Sequence, residues 1–206
     1  METENIYGEY AEALSEIKDK ITREISEISK RYKESTGEGI YEHLIARIKS
    51  DESMREKCDR KGLPQTAKSA LIEIKDAIGI RIVCSFINDI YTCVDEIKKL
   101  DGVRVINEKD YIKNVKPNGY RSLHMIIGYK TDLYDANGNK PGEYFVEIQL
   151  RTIAMDSWAS LEHQLKYKKT IGNQKLIVGE LKKCADELAG CDISMQTIRD
   201  LINGEK

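Results

Sequence analysis

Four groups of polar residues in this 206-residue chain have the types and spacing of nucleotide chemistry. Arg47 and Lys49 stand two apart in a strand-like stretch, hence on one face; Ser53 and Lys57 stand four apart on the helix expected next, again on one face. Cations beside a helix N-terminus, with its unpaired N–H groups, make a cradle for phosphate. Lysines scattered over a solvated surface are the plainer reading. Asp76 enters the apolar run "DAIGIRIVCSF" and Arg81 lies inside it, where a guanidinium must pair or face a cavity. An internal Asp76–Arg81 contact is the plain alternative there. In "YFVEIQLRT", Tyr144, Val146, Ile148 and Leu150 fall on one face, and Phe145, Glu147, Gln149 and Arg151 on the other. Asp76 and Glu147 are suited to share one Mg²⁺, which takes one or two carboxylates together with substrate phosphates and water. In "NGYRSLH", Tyr120, Ser122 and His124 share a face opposite Leu123 and Met125. The tyrosine offers a stacking platform for a base, whereas His124 alone reads equally as a satisfied structural histidine. Together these groups describe a metal-dependent nucleotide phosphotransferase. No GxxxxGK[ST] or GxGxxG occurs, so neither a P-loop nor a Rossmann solution is in play.

The elements that must carry these groups are legible from periodicity. Leu14, Ile17, Ile21, Ile25, Ile28 and Tyr32 recur at steps of three and four, an amphipathic helix over 10–33. "IYEHLIARIKS" reads as a strand, and Ser53 with Glu56 has capping-box spacing, predicting a helix from Ser53 to Gly62. Leu71 and Ile74 mark a short helix before a strand in "DAIGIRIVCSF", whose near-continuous apolar run suits a central position. Asn88 is placed to cap a helix reaching Leu100, and "VRVINE" is a strand. "YRSLHMIIGYK" and "EYFVEIQLRT" form a hairpin through "YDANGNKPG". Three helical patterns follow, on Ala154/Trp158/Leu161/Leu165, Ile177/Leu181/Cys184/Leu188 and Ile193/Ile198/Leu201. The outcome is an α+β fold, a mixed sheet of about five strands flanked by helices, with the long helices at the two ends.

Composition bounds the partners. A net charge of −2 argues against a general nucleic-acid coat, though a local basic patch stays open. No run approaches the ~18 apolar residues of a membrane span, and the N-terminus lacks a signal-peptide pattern. Five cysteines without CxxC or a Cys/His cluster suggest reduced thiols in a cytoplasm.

"RIKSDESMREK", "DAIGIRIV", "KPNGYRSLH" and "VEIQLRT…WASLEHQLKYK" follow one another in an order and spacing that resemble the RelA/SpoT-type (p)ppGpp synthetase domain, most closely the single-domain small alarmone synthetases. The resemblance spans roughly residues 35–170. It implies a nucleotidyltransferase-like sheet and transfer of the β,γ-diphosphate of ATP to the ribose 3′-OH of GTP or GDP, with Mg²⁺ as cofactor. Carried over, Arg47 and Arg81 would clasp adenine, and Lys49, Ser53 and Lys57 would hold the ATP phosphates. Asp76 and Glu147 would carry the metal, with Glu147 also placed to take the 3′-OH proton. Tyr120 would stack on guanine, His124 and Gln149 would position the acceptor, Lys109, Lys113 and Lys116 would meet its 5′ phosphates, and Asp156 would lie near the guanine. The chain then divides into an N-terminal helix (1–35), a catalytic domain (36–170) and C-terminal helices (171–206) that assemble subunits, commonly as a tetramer. A guanine-nucleotide effector or RNA is left open as a further partner. Two other functions are weighed against this one. Pyrophosphorylation of the tRNA 3′ end would call for a basic patch from Lys166, Lys168, Lys169 and Lys175. A catalytically silent nucleotide- or RNA-binding regulator would not be expected to keep Asp76 and Glu147. The chain has no His-Asp dipeptide, the mark of the hydrolase domain that long family members add.

Overall fold

The computed structural model describes residues 5–166 and 173–204. A 3₁₀ turn, Gly8–Tyr10, leads into α1 (Ala11–Thr36), followed by β1 (His43–Ile48) and α2 (Asp51–Lys61). A π-helical turn (Ser69–Glu73) precedes β2 (Ile78–Cys84), α3 (Ile87–Ile97) and β3 (Val103–Asp110). The chain continues with β4 (Leu123–Thr131), β5 (Gly142–Thr152), α4 (Ile153–Lys166) and α5 (Gln174–Gly204). The expected α+β class and mixed five-stranded sheet are found, in the order β1-β2-β5-β4-β3. The β2–β5 pair is parallel and the other three pairs are antiparallel.

One face of the sheet builds the core. Ile78, Ile80 and Ile82 of β2, Val146, Ile148 and Leu150 of β5, and Met125 and Ile127 of β4 are buried together with Leu14, Ile17, Ile21, Ile25 and Ile28 of α1 and Ile90, Val94 and Ile97 of α3. Truncating any one of these isoleucines to alanine would cost about 2–5 kcal/mol, the transfer free energy plus the cavity left behind. Because side chains alternate along a strand, this arrangement turns the remaining positions of β1, β2, β4 and β5 to the opposite face. Cys58, Cys84 and Cys93 are buried, Cys184 and Cys191 are exposed, and all five are free.

Several boundaries differ from the sequence expectation, each for a local reason. Helix α2 starts at Asp51 because Ser50 is its cap: the Ser50 side chain accepts the Ser53 backbone N–H, so Ser53 lies within the first turn. Helix α3 starts at Ile87, and the Asn88 N–H donates to Gln196 of α5 at 3.1 Å, so Asn88 is not the cap. Strand β4 begins only at Leu123. The preceding segment folds into a turn, with Gly119 at φ 89° and its N–H donating to Lys116 O, and Ser122 is buried with its hydroxyl donating to Leu150 O. Tyr120 and Ser122 therefore do not extend the His124 face as strand neighbours. The last two helical patterns are one helix: α5 runs through Gly190 for 31 residues.

Candidate active site

Two adjacent cross-strand rows on the face opposite the core carry most of the predicted groups. In the first, Arg47 of β1 is paired with Gly79 of β2, Gly79 with Glu147 of β5, Glu147 with Ile126 of β4, and Ile126 with Asn107 of β3. In the second, two residues along, Ile45, Arg81, Gln149, His124 and Lys109 stand in line. A spacing of two keeps both rows on the same side of the sheet. Two cavities open here. One, of about 130 Å³, is lined by Ile45, Arg47, Gly79, Arg81, Glu147 and Gln149. The other, of about 120 Å³, is lined by Asn107, Lys109, Tyr111, Lys116, His124 and Glu147. Glu147 borders both.

The carboxylates are held differently. Asp76 lies just ahead of β2, where its Oδ2 takes the Lys49 ammonium at 3.1 Å and a very short bond from the Lys57 ammonium on α2. Burial alone would raise the Asp76 carboxyl, but the Lys57 and Lys49 hydrogen bonds and charges outweigh it and hold the group below the ordinary carboxylate range. Its Oδ1 is buried and accepts no hydrogen bond. A buried carboxylate oxygen with no donor is the kind of ligand a hard divalent cation takes. Glu147 is oriented along β5: the Arg151 guanidinium donates to Gln149 Oε1 at 3.1 Å, and the Gln149 amide donates to Glu147 Oε2 at 3.2 Å. Glu147 Oε1 faces His124 Nδ1 at 3.8 Å, beyond hydrogen-bond length. Among the described residues no group of three or more His, Cys, Asp or Glu could hold a metal. A divalent cation held by Asp76 and Glu147 would have to complete its shell from ligand oxygens and water, as hard cations do.

The aromatic group is built around Tyr120. Its hydroxyl accepts from the buried Arg151 guanidinium at 2.8 Å and meets His124 Nε2 at 2.7 Å. Burial first, then the charges of Arg151, Lys116 and Lys109, push the His124 imidazole down to about 4, so it is neutral near pH 7. The Tyr120 oxygen thus accepts from Arg151 and shares a second hydrogen bond with His124 Nε2, whose direction follows the imidazole tautomer. The Lys116 ammonium sits 4.7 Å from the Tyr120 ring centre and 4.3 Å from that of Tyr111, which packs edge-on to both Tyr120 and His124.

The structure thus brings Arg47, Arg81, Glu147, Gln149, His124, Lys109 and Lys116 to one face, while Asp76, Lys49 and Lys57 are joined to one another and line neither cavity. Ser53 stays at the α2 N-terminus, its hydroxyl bonded to that of Ser50 at 2.9 Å. Arg81 does not reach Asp76; it lies 3.4 Å from Asp156 of α4, which also receives Arg151 at 2.9 Å. Lys113 points elsewhere, to Asp110 and the Tyr91 ring. The sequence reading gave no role to Tyr111, Asn107 or Arg151. Tyr111 alternates with Lys109 in the basic segment, and Arg151 stood on the polar face of β5, so both left a signal. Of the basic patch weighed for tRNA, Lys168, Lys169 and the side chains of Lys166 and Lys175 lie outside the described residues.

Comparison with known proteins gives the family and the fold. The family model described as "Region found in RelA / SpoT proteins" matches residues 46–172. The chain is similar to the GTP pyrophosphokinase YwaC of Bacillus subtilis, 44% identical over 168 residues, covering 82% of this chain and 78% of that protein. Among solved structures it is similar to small alarmone synthetase 2 of Bacillus subtilis, with TM-score 0.77 and 39% identity over 91% of this chain and 95% of that one. Small alarmone synthetase 1 of the same organism, bound to its product pppGpp, superposes with TM-score 0.76 and 30% identity over 94% of each chain.

Proposed function

Because the chain belongs to the RelA/SpoT family and is a GTP pyrophosphokinase that makes (p)ppGpp, we propose how its residues divide the work of moving the β,γ-diphosphate of ATP to the ribose 3′-hydroxyl of GTP or GDP. The observation that carries the division is that Glu147 is common to two cavities. The half lined by Arg47 and Arg81 takes the adenine of ATP, and Lys49, Lys57 and the Ser53 end of α2 receive its phosphates. The half lined by Lys109, Lys116 and His124 takes the acceptor, with Tyr120 stacking on guanine and Gln149 steering the ribose. Glu147 then stands at the junction and takes the 3′-hydroxyl proton as that oxygen attacks the β-phosphorus and AMP leaves. Such a transfer asks for alignment and charge neutralisation more than for covalent groups. Asp156 is better supported as the anion that fixes Arg81 and Arg151 than as a guanine contact.

Nucleotide synthetases of this kind use a divalent metal. We assign that metal as Mg²⁺ held by Asp76 and Glu147, and when bound it neutralises the transferred phosphates. We also propose the division into an N-terminal helix, a catalytic domain and C-terminal subunit-forming helices, and a cytoplasmic setting. Among the described residues no helix is long and apolar enough to cross a membrane. Assembly is supported by α5: exposed Cys184, Cys191, Met195, Ile198 and Ile202 recur at steps of seven, four, three and four, a coiled-coil-like seam. The deciding experiment supplies Mg²⁺, ATP labelled on the γ-phosphate and GTP, GDP or GMP in turn. The label should appear on the guanine nucleotide, and label found only in inorganic phosphate would overturn the transfer.

A further inference from the structure

Gly79 is the one position in the first polar row without a side chain. It sits in the interior of β2, between Arg47 on one side and Glu147 on the other, and all three line the same cavity. Glycine in a strand interior is a cost to the fold, because it loses more backbone entropy than other residues and packs nothing. Nothing in the fold requires it here. A Cβ built at Gly79 would meet no atom within 4 Å, and its φ is outside the left-handed range that favours glycine. This differs from Gly119, where a Cβ would lie 2.6 Å from Ala185 Cβ at φ +89°, and from Gly142, where it would strike backbone atoms at 2.6 Å. The space above Gly79 is kept empty for something other than the protein's own packing.

What fills that space follows from its walls. Arg47 and Arg81 flank it from adjacent strands, Ile45 supplies an apolar edge, and the floor is bare peptide. Planar guanidinium groups stack on flat aromatic faces, and a floor with no Cβ lets a ring approach the backbone. We propose that Gly79 is a specificity-determining residue, the open floor that lets the purine of the donor nucleotide seat between Arg47 and Arg81, retained at the expense of strand stability. This rests on the assignment of that cavity to ATP. Any side chain here would project into the donor seat while leaving the acceptor cavity across Glu147 untouched, since Gly79 does not line it.

The two consequences have opposite signs, and a merely structural glycine would not produce both. Gly79→Ala and Gly79→Val should fold with a thermal midpoint equal to or above that of the parent chain. Titrated with α,β-methylene-ATP in Mg²⁺, affinity should fall in order of side-chain size, several-fold for alanine and at least tenfold for valine. GTP affinity should stay within about twofold. A valine variant that binds the ATP analogue as tightly as the parent overturns the proposal. If GTP affinity falls instead, Gly79 is a floor but the donor and acceptor halves have been exchanged, and the donor role is lost. If valine lowers the thermal midpoint, the alanine variant decides: undiminished binding of the ATP analogue by a folded alanine chain, together with that loss of stability, would make Gly79 a packing residue.

Discussion

In the proposed mechanism Glu147 is the side chain whose charge matters most, since it borders both cavities and is aimed by the Arg151–Gln149 hydrogen bonds. Glu147→Gln keeps the shape and removes the charge, so turnover should drop at least ~10²-fold with little change in thermal midpoint. Turnover near the parent value in saturating Mg²⁺ would remove the proposed mechanism. Asp76→Asn should lose as much turnover and also lower the midpoint, because Lys49 and Lys57 share that one anion in a largely buried setting. For Tyr120, stacking on guanine is worth on the order of 1–3 kcal/mol, so Tyr120→Ala should raise KM for GTP roughly ten- to a hundredfold and leave KM for ATP near its starting value. Equal changes in both constants would put Tyr120 in the scaffold. From the sequence, a ring keeping its π-face makes Tyr120→Phe look mild; the structure changes that expectation. The phenol oxygen is an acceptor for buried Arg151, and removing it leaves that guanidinium short of a partner, at about 1–3 kcal/mol. Arg81 and Glu147 stood out in the sequence because each broke a local apolar pattern, whereas Tyr111 and Arg151 drew no role there. The pairing of the charged groups was not legible, because the Arg81–Asp156 and Asp76–Lys57 contacts depend on how separate elements meet.

Among the elements, α5 does more than extend the C-terminus. The Trp158 indole of α4 donates to Leu181 O at 2.8 Å, and Thr152 at the end of β5 donates to Asp192 at 2.6 Å. Arg121, next to Tyr120, donates to Gly119 O and Ala185 O at 3.1 Å each and to Asp186 at 2.9 Å. The turn that presents Tyr120 is thereby pinned to α5. Arg121→Met should raise KM for GTP several-fold more than KM for ATP, with Arg121→Lys intermediate in steady-state assays; a matched rise in both would mean general loosening. Burial raises the Asp192 carboxyl above its ordinary value, and Thr152 and Arg121 only partly oppose it. The folded chain therefore holds that proton more tightly than the unfolded chain, so its contribution is intact below the ordinary carboxylate value and is lost as pH rises through the raised one. Asp192→Asn, which still accepts from Thr152, should raise the thermal midpoint at neutral pH and leave it unchanged well below the carboxylate range. No gain at neutral pH would contradict the raised value. Strand β5 and helix α1 were readable from periodicity and β2 from its apolar run, because their burial is regular. The continuity of α5 was not, because Gly190 interrupts the pattern, a penalty of about 1 kcal/mol that contacts on both sides of it outweigh. The start of α2 was missed by two residues because Ser50 and Ser53 offer competing caps.

At the scale of the whole molecule, α5 has a buried side and an exposed apolar side, and the proposed assembly rests on the second. Ala185, Asp192 and Gln196 are buried against the body, while Met195, Ile198 and Ile202 are each more than half exposed. Ile198→Glu with Ile202→Glu should reduce the molar mass measured by light scattering without unfolding the chain, and an unchanged mass would assign assembly to another surface. The shared wall between the two cavities carries one more implication. A carboxylate that belongs to both compartments makes their occupancies interdependent, since the charge brought into one alters the field felt in the other. Thermodynamic linkage then demands reciprocity: by whatever factor bound ATP changes the affinity for the guanine nucleotide, the guanine nucleotide must change the affinity for ATP by that same factor. On this view Glu147 is a communication point as well as a base, through which each substrate reports its presence to the other before any bond is broken.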